Sequence, residues 1–374
     1  MKVDEGSQQL PPNPGHIEAF STAGGGLSPL PPTGASIKDL GPLSDTVTQH
    51  DIERQVEAVT EGQSLSPLQA SLRRLGRDRR AMFCLAIIVL MVAVSFVGPF
   101  IYDHIGPVIQ GGPGGTTPEP PSVYHNYTHQ ELTLIDSPPS AAFPLGNDYL
   151  GRDILARLMA GVQVSVQVAF VVILFDIILG LVVGTLAGYY GGWIDAFLAR
   201  FTDLMFAFPQ LLFAIIAAAT IGPIFSDRFG PTGRLVLVSL ALGITIWPQM
   251  ARYVRGQTLQ LKEQQFIEAA RTVGTSDTGL ILRHIVPNLL SIVVTASTLD
   301  IVGIIIGEAT LSLLHLGVEP PGSSLGLMIS EGAGRLYNQY TEVLFPAITL
   351  AILVLCFSFL GDGVSDAFNP RRKD

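Results

Sequence analysis

After residue 80 the chain is dominated by six long apolar stretches from which charge is nearly excluded. About 20 consecutive apolar residues cross the hydrocarbon of a bilayer as a helix. There, every backbone polar group must find its partner within the chain. These stretches therefore predict an all-α polytopic membrane protein with six transmembrane helices. They run over Ala81–Ile101, Val162–Gly188, Leu204–Phe225, Leu235–Ala251, Asn288–Leu311 and Val343–Gly361. Composition agrees: 48% of the 374 residues are hydrophobic and 14% are charged, against about 25% charged in soluble domains. A soluble enzyme and a nucleic-acid binder are both excluded on this ground.

The remaining charge is unevenly placed. Residues 1–70 hold three Lys/Arg and nine Asp/Glu, most of the net charge of −9, together with eight Pro and eight Gly. Such a segment buries too little apolar area to offset its ordering entropy and is expected to be disordered. A short helix is expected over Leu65–Arg80, with five arginines towards its end, and no cleaved signal peptide is expected. The predicted organisation is an acidic tail over 1–70, a basic pre-helix and first span over 71–101, an external loop over 102–161, and a transmembrane core over 162–374. Lys/Arg placement orients the spans. With the N-terminus inside, 14 basic residues flank the spans on the inner side and five on the outer side. Both termini are therefore expected in the cytoplasm. Cys84 and Cys356 lie in apolar runs and are expected to pack as small apolar residues.

The internal segment 252–287 is the largest expected between spans on that side. It reads Glu268-Ala269-Ala270-Arg271-Thr272-Val273-Gly274-Thr275-Ser276-Asp277 and closes at Arg283-His284-Ile285-Val286-Pro287. This order predicts a helix, a glycine stop at Gly274, a cap at Ser276 or Asp277, and a second helix. The small side chains of Ala269 and Ala270, rimmed by Glu268 and Arg271, suit docking into a groove on another protein.

The Glu-Ala-Ala run, with Gly274 after it and Pro287 thirteen residues further on, resembles the EAA loop of binding-protein-dependent ABC importer permeases. His284 and Val286 replace the usual Ile and Leu. Phe143–Leu158, Gly188–Pro209, Leu316–Gly326 and Leu360–Arg371 resemble segments of the C-type subunit of dipeptide/oligopeptide permeases. Phe143, Asn147, Gly322 and Leu325 depart from that pattern. The resemblance covers about Arg73–Arg371. It implies an inner-membrane subunit of a bacterial importer, paired with a homologous second permease subunit. Two cytoplasmic ATPase subunits and an extracytoplasmic binding protein would complete the complex. It also implies that Glu268, Ala269, Ala270, Arg271, Gly274, Asp277, Arg283, His284 and Pro287 form the contact that couples the chain to an ATPase.

Local chemistry adds smaller expectations. Gly191-Gly192 fits a tight turn, Asp195 a helix cap, and Arg200 with Asp203 an ion pair on one helix face. Gly180, Gly184 and Gly188 form a smooth stripe for close helix packing, as do Gly303 and Gly307. Ile154–Leu158 reads as an amphipathic stretch at the membrane surface.

Three acids fall inside the spans: Asp176, Asp300 and Glu308. A carboxylate at mid-bilayer costs at least about 2.5–3.5 kcal/mol. It therefore lines a water path, where it could meet a peptide's N-terminal amine, or it pairs with a polar group of a neighbouring helix or subunit. Both readings stand for Asp300 and Glu308, and pairing is preferred for Asp176. None of the four lysines follows Gly, so the chain has no Walker A loop, and ATP with its Mg is expected only on partner subunits. No cofactor, catalytic residue or metal site is expected, His125 and His129 included. The function expected is an importer permease for dipeptides or oligopeptides. The alternatives are a related permease for nickel, glutathione or another small solute, and, from another class, an ion-driven secondary transporter or channel.

Overall fold

The computed structural model describes residues 67–105 and 125–368, all within one compact unit that starts at Leu65. The acidic tail, the Pro/Gly-rich part of the first loop, and the last basic residues lie outside the described residues. Eleven α-helices are named in chain order: α1 Pro67–Leu75, α2 Arg79–Ile105, α3 Ile154–Tyr190, α4 Gly192–Phe206, α5 Gln210–Phe229, α6 Pro231–Leu261, α7 Gln265–Thr272, α8 Asp277–Leu280, α9 Val286–Leu313, α10 Leu325–Ala333 and α11 Thr341–Phe368. No strand occurs among the described residues; Asn147 and Asp153 make a single isolated bridge. Six segments are long and apolar enough to cross a membrane: Arg79–Tyr102, Ile154–Tyr190, Gln210–Phe229, Thr232–Leu261, Asp277–Leu313 and Thr341–Phe368.

The number of spans is as the sequence predicts, but several helices outrun their apolar cores. Hydropathy marks where a helix is dry, whereas backbone hydrogen bonding continues into polar sequence wherever nothing stops it. Span two begins at Ile154, capped by Asp153, whose Oδ1 accepts from the Leu155 and Ala156 amides at 2.8 and 3.2 Å. Span four continues through Arg252 and Arg255 to Leu261. Span three starts later than expected. Leu204 belongs to α4, because Pro209 ends that helix and a new one begins at Gln210. The expected helix before span one stops at Leu75, and Arg79 already belongs to span one.

The central contact pairs α3 with α6. A Cβ on Gly180 would strike the Met250 side chain. On Gly184 it would lie 2.5 Å from the Ala251 carbonyl oxygen, and on Gly188 2.7 Å from Thr258 Cβ. The glycine stripe thus lets two backbones approach, as read from its spacing. Residue numbers rise together along the contact, so α3 and α6 run parallel. Span five runs opposite to α3, with Glu308 near Ser165 and Asp277 near Tyr189. The bundle therefore has two ends, one carrying α7 and α8, the other carrying α10 and residues 125–153.

The second glycine pair behaves differently. A Cβ on Gly303 would meet open space, and one on Gly307 only an ordinary contact with Leu242 at 3.4 Å. Gly303 points out of this chain's bundle, so the expected close packing is absent there. Cys84 and Cys356 are buried in one apolar cluster with Ile88. Gly184→Leu is expected to lower stability by about 1–3 kcal/mol through overpacking. Gly303→Leu should leave it near the parent. Thermal unfolding of the detergent-solubilised chain measures both, and equal midpoints for the two variants would refute the assignment.

Candidate functional site

Three groups of side chains carry chemistry: the α7–α8 segment, the acids between the helices, and a buried ion network at the α10 end.

Helix α7 spans Gln265–Thr272, and Gly274 follows with a φ of +88°, a left-handed conformation that glycine adopts without strain. Ser276 caps α8, its Oγ accepting from the Gly279 amide at 3.3 Å. A π-helical turn over Ile281–Ile285 then joins α8 to α9, so the helix passes through Arg283 and His284 into span five without a break. Pro287 sits in the first turn of α9, where its missing N–H is harmless. Ile267 is fully buried in a cluster with Met250, Val254, Leu280, Ile285 and Leu289, which roots α7 on spans four and five. Asp277 is held from span two, accepting a 2.5 Å hydrogen bond from the Tyr189 hydroxyl. Glu268, Ala269, Arg271, Gly274, Asp277, Arg283 and Pro287 are exposed, and Ala270 and His284 are half-buried. Phe266 and Val273 are also exposed, Val273 to 87%. With Ala269 between them, they follow the i, i+3, i+7 spacing of one helix face. The burial of Ile267 shows which face is outward.

Beneath this end lie two further ion pairs. Asp195 does not cap α4; it receives both Nε and Nη2 of Arg255, at 2.5 and 2.7 Å. That bond holds its carboxyl below the usual carboxylate range. Asp203 pairs with Arg252 at 2.8 Å instead of with Arg200. Both partners come from the extension of α6 that hydropathy had left in a loop.

The intramembrane acids separate into two environments. Glu308 is buried and saturated, accepting from Ser165 Oγ at 2.9 Å and Ser312 Oγ at 2.8 Å. This is pairing with a neighbouring helix and with the following turn of its own helix. Asp176 is fully buried, yet neither carboxylate oxygen has a hydrogen-bond partner among the described residues. The charge that acts on it is Asp300, another acid, itself half-buried. Among the described residues no donor answers Asp176.

The third group was not foreseen. Arg152 Nε donates to Asp148 Oδ2 at 2.8 Å and its Nη2 to Glu331 Oε2 at 3.0 Å. Arg157 reaches the same two oxygens at 2.5 and 2.6 Å. All four side chains are buried. Burial opposes the charge on Arg152, but Asp148 and Glu331 more than offset it and hold the guanidinium above its ordinary range. Beside this square, His125 Nδ1 lies 2.9 Å from Asp153 Oδ2, and Arg335 pairs with Asp136. Residues 125–153 are thereby clamped onto α3 and α10. The first turns of α3 are covered on nearly every side, with Ile154, Ala156, Arg157 and Leu158 all buried. They are not the amphipathic surface stretch expected. The alternation of Asp148, Arg152, Asp153 and Arg157 was a visible signal, but Glu331 lies 179 residues beyond Arg152.

The described residues thus form a six-span bundle with a helix–glycine–helix segment rooted at one end. Residues 180–374 match the family described as binding-protein-dependent transport system inner membrane component, and residues 66–110 match the N-terminal TM domain of oligopeptide transport permease C. The oligopeptide transport system permease protein OppC of Escherichia coli (strain K12) is 34% identical over 315 residues, 84% of this chain and 93% of that protein. The glutathione transport system permease protein GsiD of Shigella flexneri serotype 5b (strain 8401) is 35% identical over 84% of this chain and 94% of its own. A solved MetNI methionine ABC transporter aligns over 57% of this chain and 96% of its own, at 23% identity and a TM-score of 0.45.

The chain belongs to the binding-protein-dependent transport system inner membrane component family. It is a multi-pass membrane permease of an ABC importer, not an enzyme. The family implies a partner permease, ATPases and a binding protein, and sets aside the ion-driven alternative.

Removing one partner from a buried ion network strands the others, at about 3–5 kcal/mol. Arg157→Met is expected to destabilise the chain by that amount, whereas Arg335→Met, at a partly exposed pair, should cost no more than about 1 kcal/mol. Denaturant unfolding in detergent compares the two, and equal losses would contradict the network's role.

Proposed function

We propose that this chain is one half of the translocation path of a bacterial inner-membrane importer for dipeptides or oligopeptides. In this reading it forms a heterodimer with a homologous permease subunit. Two cytoplasmic ATPase subunits bind ATP and Mg, and an extracytoplasmic binding protein delivers the peptide. The α7–α8 end faces the cytoplasm, in keeping with the excess of basic residues on that side. Likeness to an oligopeptide and to a glutathione permease supports a peptide-like cargo, and nickel or another small solute is the second reading.

The observation that carries the coupling role is the two-sided character of α7. One face, at Ile267, is buried against spans four and five; the other presents Phe266, Ala269 and Val273 uncovered. An apolar patch beside Glu268 and Arg271 on a helix rooted in the bundle suits a protein groove. Force applied there acts directly on the spans. ATP-driven closure of the ATPases moves α7, and the bundle alternates its access to the two sides. Asp300 and Asp176 remain the candidate path acids, with Glu308 engaged by serines.

Glu268→Lys and Val273→Asp are expected to weaken capture of the ATPase by about tenfold or more, the scale of an interface hot spot. Gly274→Pro should abolish it, since proline cannot take a positive φ. Co-purification of tagged complexes, with ATP-dependent uptake in vesicles, reads all three. Full capture and uptake in every variant would remove the coupling assignment.

A further inference from the structure

At the α10 end, between α3, the start of α6 and the loop before α10, lies a cavity of about 240 Å³. Its hydrogen-bonding walls are Gln163 and Gln167 of α3, with Thr232 and Tyr127 beside them, and its apolar walls include Leu235 and Val318. No charged side chain lines it among the described residues. Gln163 and Gln167 are half-buried, and neither amide makes a hydrogen bond among the described residues. Two amides thus stand in a shaped recess with both donors and acceptors unspent. The charges of Arg152 and Arg157 are balanced by those of Asp148 and Glu331, so this network adds little net field.

Glutamines four apart on a helix are neighbours on one face, displaced by about 6 Å along its axis. An extended peptide repeats the same backbone face every two residues, at about 6.4–6.8 Å. Each glutamine amide offers one carbonyl and one N–H group, the complement of a peptide group. The two periods match closely enough for both side chains to engage one extended strand at consecutive same-facing peptide groups. The recess is smaller than the roughly 300–1,000 Å³ of a site that encloses a whole ligand. It therefore fits a segment of chain passing through.

We propose that Gln163 and Gln167 form a backbone-reading subsite that binds the peptide groups of an extended cargo without regard to its side chains. This inference rests on the peptide-importer reading and deepens it. It assigns selectivity at this end of the path to hydrogen bonding of the main chain. The apolar wall at Leu235 and Val318 tolerates varied side chains, and the absence of charge avoids trapping acidic or basic ones.

The test uses the assembled complex, with its partner permease, ATPases and binding protein, in proteoliposomes. The probes are tri-alanine, tri-lysine, tri-glutamate and tri-alanine methylated on its backbone nitrogens. Gln163→Met/Gln167→Met keeps side-chain length and removes the hydrogen bonds. The double variant is expected to raise KM for the three unmethylated peptides about tenfold and by a similar factor for each. The parent's preference for tri-alanine over its methylated analogue should shrink in each single variant and further in the double, down to the preference the isolated binding protein itself shows for the two peptides. Co-purification of the partner subunits with each variant separates a binding defect from failed assembly. Unchanged KM and unchanged discrimination in an assembled variant overturn the subsite, as does a loss confined to one side-chain type. A parent complex that takes up none of these peptides but imports nickel overturns the peptide reading and this inference with it.

Discussion

The close approach of α3 and α6 organises the rest of the bundle. Glycine at 180, 184 and 188 lets two parallel helices meet backbone to backbone, which in a bilayer replaces the hydrophobic driving force that lipid cannot supply. Because the two helices run in the same direction, their starts lie together at one end and their ends at the other. The first grouping creates the recess around Gln163 and the platform for residues 125–153. The second places Tyr189 under Asp277 and the α6 extension over Asp195. Both ends thus inherit their geometry from one dry contact.

Charge follows a second rule, that a group removed from water must be answered by another. Arg152 and Arg157 share two carboxylates in a closed square. Glu308 has two serine hydroxyls, and Asp195 has a bidentate arginine. Each is locked by its partners. Asp176 differs: it is buried with neither oxygen answered among the described residues, and the charge that acts on it is that of Asp300. Within the spans, Asp176 and Asp300 are thus a pair of acids whose chemistry the described residues leave unspent.

Much of this was legible in the order of residues. The six spans, the glycine stop at 274, the cap at Ser276 and the close-packing stripe of α3 depend on local composition or short periodicity, and each is found. What escaped required knowledge of distant partners. Asp203 chooses Arg252 over its near neighbour Arg200 because α6 runs on as a helix past its apolar core. Arg152 and Arg157 acquire Glu331 as a partner only because α10 folds back to them from far along the chain. Gly303 and Gly180 have the same spacing motif, yet only the tertiary arrangement decides which one faces another helix. On α7 the alternation of apolar residues was visible, but the choice of inward face was not.

The π-helical turn at Ile281–Ile285 has a mechanical consequence. By joining α8 to α9 it makes Asp277–Leu313 one uninterrupted rod, about 55 Å long at 1.5 Å per residue. The π turn is the place where such a helix bends; with that joint held straight, the whole length pivots. A tilt of roughly 10° imposed at Asp277 carries the far tip about 10 Å sideways if the pivot sits near the pushed end, and about 5 Å each way if it sits at mid-length. Span five is in that sense a lever. The bundle's choice of fulcrum along it sets how a small push on one side of the membrane is shared out as movement on the other.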